Sequence, residues 1–156
     1  MQFLIILCAK YLIAVSAVLL VWCIYATRGD KRKKLLILAA VSLPLTYAVG
    51  YIAGHIFYNA RPFVVGHFLP LIEHAPDNGF PSDHMLLAAA LAMVGYFLSR
   101  RLGGILWILA ILIGISRIAA GVHHTLDIVG SSVIAMAVVS SIDYILAKRI
   151  LKKSSW

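Results

Sequence analysis

The run GGILWILAILIGISRIAAGVHHTLDIVGSSVIAMAVV, residues 103–139, decides the fold. No side chain is charged from Gly103 to Ser116. A polar knot follows at Arg117, His123, His124 and Asp127, and charge is absent again from Ile128 to Val139. Two apolar runs around one short polar turn read as membrane helices and their connection, because a helix satisfies its own backbone in hydrocarbon. The pattern predicts spans over about Ile105–Ile118 and Leu126–Ala147. Upstream, the same reading predicts spans over about Phe3–Ala26, Leu35–Tyr58 and Asp83–Leu98. The expected fold is an all-α integral membrane bundle of about five transmembrane helices, one domain over residues 1–156. The third and fourth spans are short unless their polar ends are counted. Lys10 interrupts the first span and either snorkels outward or faces other helices. Pro44 kinks the second, where neighbouring helices tolerate it.

Composition agrees. Hydrophobic residues make up 62% of the chain and charged residues 13%, against about a quarter charged in a soluble domain. The net charge of +8 is gathered, not spread: eleven of the 14 Lys and Arg fall in three clusters. These are Arg28, Lys31, Arg32, Lys33 and Lys34; Arg100 and Arg101; and Lys148, Arg149, Lys152 and Lys153. Each abuts an apolar run, as cytoplasmic loops do, and each suits anionic membrane lipids. No basic surface interleaved with aromatics is present, so nucleic acid is not an expected partner. Cys8 and Cys23 would lie about 22 Å apart on one helix, too far for a disulfide, and are expected to be packing residues. The N-terminal apolar run is too long for a signal peptide and lacks its basic flank.

With the basic clusters inside, the N-terminus lies outside, the C-terminus is cytoplasmic, and residues 60–82 and 117–126 face outward. All six histidines, His55, His67, His74, His84, His123 and His124, then fall at or near the outer face. Glu73, Asp77, Asp83 and Asp127 join them. Ionisable groups gathered at one interface mark a site there. The stretch Ala60–Phe80 is too long for an idle connection. It is also rich in apolar residues (Phe63, Val64, Val65, Phe68, Leu69, Leu71, Ile72), so it is expected to dip into the interface and cover a lipid substrate.

Three clusters carry the chemistry: Arg61-Pro62-Phe63, Pro81-Ser82-Asp83-His84, and Ser116-Arg117 followed by His123 and Asp127. Phosphoryl transfer needs charge spread over equatorial oxygens and in-line attack. Arg61 and Arg117 offer planar forks for those oxygens, Ser82 adds a hydroxyl, and backbone N–H groups opening the third span suit an anion. His123 and Asp127 share a face if the last span starts near His123; the carboxylate then fixes the tautomer and frees the other ring nitrogen to attack. His84, from another helix, is suited to protonating the leaving oxygen and then activating water. Taken singly, these residues also read as head-group anchors, solvated histidines, or a Ser82 helix cap.

Together the clusters resemble the signature of the type-2 phosphatidic acid phosphatase superfamily, K-x-x-x-x-x-x-R-P, P-S-G-H and S-R-x-x-x-x-x-H-x-x-x-D. The likeness covers about residues 50–135. The third motif matches in full. The second has Asp83 in place of Gly, and the first has Gly54 where Lys is expected, with His55 next to it as a substitute cation. The resemblance implies a helical membrane fold and a cofactor-free, metal-free site. It implies His123 as the nucleophile that becomes phosphohistidine, Asp127 as its orienting group and His84 as the acid. Arg61, Ser82 and Arg117 would hold the phosphate. Asp83 would hydrogen-bond Arg61 or Arg117, or cap its helix.

The stretch from Arg61-Pro62-Phe63 through Glu73-His74-Ala75 to Phe80-Pro81-Ser82-Asp83-His84 is similar to bacterial undecaprenyl-diphosphatases of the bacitracin-resistance type. That likeness implies removal of the terminal phosphate of undecaprenyl diphosphate outside the cytoplasmic membrane, returning the monophosphate carrier to cell-wall (peptidoglycan) synthesis. Glu73, His74 and Asp77 are then candidates for sensing the diphosphate. Compared with that group, the chain is expected to lack an interfacial helix before the first span.

Alternatives remain open from sequence. Another lipid phosphate, such as phosphatidylglycerophosphate or phosphatidic acid, would need the same motifs. A vanadium haloperoxidase shares the anion signature but suits a larger chain. A non-catalytic proton pathway or lipid-binding scaffold would need titratable groups through the bilayer centre, whereas here they concentrate at one interface, with Lys10 and Asp143 the main exceptions. A zinc hydrolase would need three ligands, and His123 with Asp127 is the main pair at ligand spacing.

Overall fold

Long apolar runs bounded by polar turns become helices: α1 (Gln2–Ala26), α2 (Gly29–Ile56), the one-turn α3 (Pro62–Val65), α4 (Asp83–Leu98), α5 (Arg100–Ala119) and α6 (Thr125–Lys153). The computed structural model describes residues 2–153, with side chains through Arg149. The side chains of Lys152 and Lys153, which the sequence places in the basic C-terminal cluster, lie outside the described residues.

Four helices, α1, α2, α5 and α6, are long and apolar enough to cross a membrane, and α4 is a shorter apolar fifth. The expected bundle is present, and the chain is a multi-pass membrane protein. The helix ends move outward from the expected spans. α2 starts at Gly29 inside the basic cluster, and α5 starts at Arg100, because Lys and Arg are good helix formers once solvated. Ser99 makes the turn between α4 and α5, accepting at Oγ from the Leu102 N–H at 3.1 Å. Pro44 stays inside a continuous α2. Lys10 is exposed, the outward of its two alternatives.

α4 can be short because it is the central helix, packed against α1, α2, α5 and α6. Its small side chains Ala88, Ala89, Ala90 and Ala92 are at most 1% exposed and let backbones approach closely, as packing in lipid favours. Antiparallel connection sends the starts of α2 and α5 and the end of α6 to one end of the bundle, carrying the basic clusters. There Lys34 Nζ meets Asp143 Oδ1 at 2.7 Å, giving the isolated acid of α6 a partner. The end of α2, the start of α4, the end of α5 and the start of α6 meet at the other end.

That second end carries residues 57–82 as a cover. Ile72 is buried with Ala9, Ala120 and Val122, and Phe63 and Leu71 pack against them. The Leu71 N–H donates to Ala120 O at 3.0 Å. Gly121 turns the chain with φ +78°, and a Cβ there would come within 2.6 Å of the Phe68 ring. The cover is thus pinned to the turn that leads into His123.

Candidate active site

The helix ends and the cover enclose a cavity of about 390 Å³ whose wall includes Arg61, His74, Asp77, Asp83, His84, Arg117 and His123. Arg61 follows α2, His84 opens α4, Arg117 ends α5, and His123 lies just before α6. The three sequence clusters therefore converge.

His123 is 2% exposed. Its Nδ1 lies 2.9 Å from Gly79 O, and a carbonyl can only accept, so the proton sits on Nδ1. Nε2 is left with its lone pair, facing Arg61 Nη1 at 3.4 Å and Arg117 Nη2 at 3.3 Å. The expected His123–Asp127 pairing is therefore modified. α6 begins at Thr125, past His123, and Asp127 Oδ2 lies 3.5 Å from Nδ1, the longer arm of a shared contact. The carboxylate is fully buried and held mainly by others: Asn59 Nδ2 donates to Oδ1 at 2.7 Å, and the His124 N–H donates to Oδ2 at 2.8 Å. Burial, then the Arg117 and Arg61 charges, hold the His123 pKa below its ordinary 6.5, with Asp127 opposing them. The ring is therefore neutral near neutral pH.

Arg61 is 5% exposed and fixed on three sides. Nε donates to Asp77 Oδ1 at 2.7 Å, Nη1 to Val122 O at 2.9 Å and Nη2 to Asn78 O at 3.1 Å. Burial alone would raise the Asp77 pKa, but the Arg61 hydrogen bond and charge bring it below the usual carboxylate value. Arg117 Nε and Ser82 Oγ are buried with no partner. Two orphaned donors are costly unless an anion meets them. Ser82 does not cap α4 through its side chain, and its own N–H is taken by Ser131 Oγ at 2.9 Å. That N–H is therefore spent within the fold and is not offered to an anion.

The remaining candidates separate. His74 reaches the cavity, edge-on to the His123 ring at 6.1 Å between centroids. Its pKa is lowered by burial and by the two arginines. Asp83 is exposed at the rim, and Glu73 is exposed without lining the cavity. His55 lines the cavity, but its Nδ1 bonds back to Tyr51 O at 2.8 Å. Asn59, Asn78 and Gly79 were not singled out by sequence reasoning. The Asn-Gly pair signals a turn, but no pattern says which carbonyl a turn will present. Among the described residues, no three His, Cys, Asp or Glu side chains gather as metal ligands.

The sequence pattern of the PAP2 superfamily matches residues 35–151. The chain is 32% identical over 129 residues to the undecaprenyl-diphosphatase BcrC of Bacillus subtilis (strain 168), covering 83% of this chain and 66% of that one. It is 36% identical over 136 residues to YbjG of Escherichia coli (strain K12), covering 82% of this chain and 65% of that one. The chain thus spans just under two thirds of these relatives' lengths. Among solved structures, Aquifex aeolicus LpxE superposes with a TM-score of 0.65 at 26% identity, covering 91% of this chain and 81% of that one.

Proposed function

The chain belongs to the PAP2 superfamily, and on that premise we propose that it removes the terminal phosphate of a polyprenyl diphosphate through a phosphohistidine intermediate, needing no metal. The observation that carries this is His123 Nε2, proton-free because Gly79 O accepts at Nδ1, between two guanidinium groups at 3.3 and 3.4 Å. A cation-rich wall of this kind suits an anion and repels a metal ion.

Nε2 attacks the terminal phosphorus in line. The bridging P–O bond breaks, its electron pair leaves with the lipid monophosphate, and His84 supplies a proton to that oxygen. Arg61 and Arg117 share the charge of the equatorial oxygens, and Ser82 donates from the start of α4. His84 then takes a proton from water, which attacks the phosphohistidine, and the N–P bond breaks to release phosphate. Asp127 and Gly79 O stabilise the charged ring between the two steps.

A lipid substrate is supported by a second, apolar groove of about 170 Å³ between α2 and α4, lined by Leu43, Thr46, Leu86, Leu87 and Ala90. It shares Tyr47 and Asp83 with the polar cavity, so a head group in one places its chain in the other. A diphosphate is supported by the name of the Bacillus subtilis relative and by room on the cavity wall beyond the two arginines, where His74 stands. The site would face outside the bacterial cytoplasmic membrane, with the basic end cytoplasmic.

The test is phosphate release by the purified protein from undecaprenyl diphosphate and phosphatidylglycerophosphate in excess EDTA, with His123→Ala as control. Faster release from the polyprenyl diphosphate, lost in the variant, is expected. Preference for the glycerolipid would overturn the substrate, and release abolished by EDTA would overturn the metal-free route.

A further inference from the structure

The two groups that define the reaction, His123 and Arg61, are aimed by consecutive carbonyls of one short segment. Asn78 O accepts from Arg61 and Gly79 O from His123. Something must hold that segment, since it belongs to no helix. The backbone supplies a single antiparallel bridge, Ala60 with Asn78, and the Gly79 N–H donates to Asn59 O at 2.8 Å.

The rest comes from the Asn78 side chain. Nδ2 donates to Gly54 O at 2.7 Å and to Phe57 O at 2.9 Å, carbonyls at the end of α2 that a helix terminus leaves open. Oδ1 accepts from the Asn59 N–H at 2.9 Å and the Phe80 N–H at 3.0 Å. Two donors and two acceptor bonds exhaust what an amide side chain offers. They also fix which end is nitrogen, because the partners on one side are carbonyls and on the other N–H groups.

Gly54 belongs to the same device. A Cβ there would stand 2.9 Å from Phe80 O and 3.2 Å from Pro81 Cδ. The segment lies against the helix where the superfamily pattern places lysine.

We infer that Asn78 is a positioning residue, which with Gly54 locks residues 78–80 onto the end of α2 and so holds the His123 tautomer and the Arg61 fork in register. This rests on the phosphoryl-transfer reading above. Asn78 donates nothing to the substrate; it acts through the two carbonyls.

The experiment uses the full chain in detergent, comparing native protein with Asn78→Ala, Asn78→Asp and Gly54→Ala. It reads kcat and KM on the lipid diphosphate, the melting temperature, and affinity for orthovanadate and inorganic phosphate. Five-coordinate vanadate takes His123 Nε2 as an apical ligand, whereas free phosphate needs only the cationic wall. Asn78→Ala is expected to lower kcat about 100-fold and vanadate affinity at least about tenfold. Phosphate affinity should fall no more than about threefold, because Asp77 and Val122 O still hold Arg61, and the melting temperature should stay within a few degrees. Asn78→Asp, which sets an oxygen against two carbonyls, should not rescue. Gly54→Ala should show the same pattern, about tenfold in kcat.

Native kcat in Asn78→Ala would overturn the inference. So would joint loss of vanadate binding, phosphate binding and melting temperature, the mark of a merely structural residue. A native protein that hydrolyses no lipid phosphate yet binds vanadate would overturn the proposed reaction, while the Asn78 effect would still be read on vanadate. A native protein that binds neither anion would overturn both.

Discussion

Around His123 each ring nitrogen has a different task, and single substitutions separate them. Removing the ring in His123→Ala deletes the atom proposed to attack. Turnover should fall at least about 1,000-fold, while circular dichroism reports an unchanged helical bundle, because the residue lies in a turn outside the helices. Substantial residual turnover would sink the assignment. His84 is the proposed acid for the leaving group, so His84→Ala should cost much less on a substrate whose leaving group departs without a proton, such as an activated aryl phosphate. Equal losses on both substrates would argue against an acid role. The titration of His123 has a sign. Its pKa is held below 6.5 by burial and the two arginines, so the free protein keeps the proposed nucleophile neutral as pH falls to that value. The acid limb of kcat/KM should lie below 6.5, and a limb above it would contradict the geometry.

At the scale of elements, the end of α2, the start of α4 and the α5–α6 turn form the site, while their opposite ends hold the bundle together. The groove between α2 and α4 is where chain length should be felt. Leu87 is 41% exposed on its wall, so Leu87→Trp can fill the groove without overpacking the core. KM for a long-chain substrate should rise about tenfold, with a short water-soluble phosphate within about twofold; equal effects would remove the groove from the binding site. At the other end, Lys34 and Asp143 are an isolated pair far from the chemistry. Asp143→Ala should lower the melting temperature by a few degrees and leave kcat unchanged, because the ammonium left behind loses its partner.

For the whole molecule, the division of labour is one end for anion chemistry and the other for positive charge, joined by an apolar barrel of helices. Periodicity is unnecessary to read this: runs such as Gly103–Ser116 are apolar on every side, which commits them to lipid or to one another whatever their neighbours. The five apolar bundle helices, their order and the clustering of Arg61, Ser82, His84, Arg117, His123 and Asp127 followed from composition and motif spacing, whereas the one-turn α3 did not. Motif residues sit at helix ends, and antiparallel packing of the helices gathers those ends at one side of the bundle. Helix termini were less legible, as at α2 and α5, because cationic residues extend a helix into water as readily as they stop a span. What the sequence by itself determined was therefore the membrane bundle and the residues that gather at the candidate site. Only the tertiary structure decided which atom orients the His123 ring. Gly79 O takes the nearer place beside Nδ1 and Asp127 the farther, Asn59 and Asn78 brace them, and Glu73 stays off the cavity wall. The reason is physical: a backbone carbonyl carries no residue-type signal, and its aim depends on how a loop far away in sequence docks against a helix end.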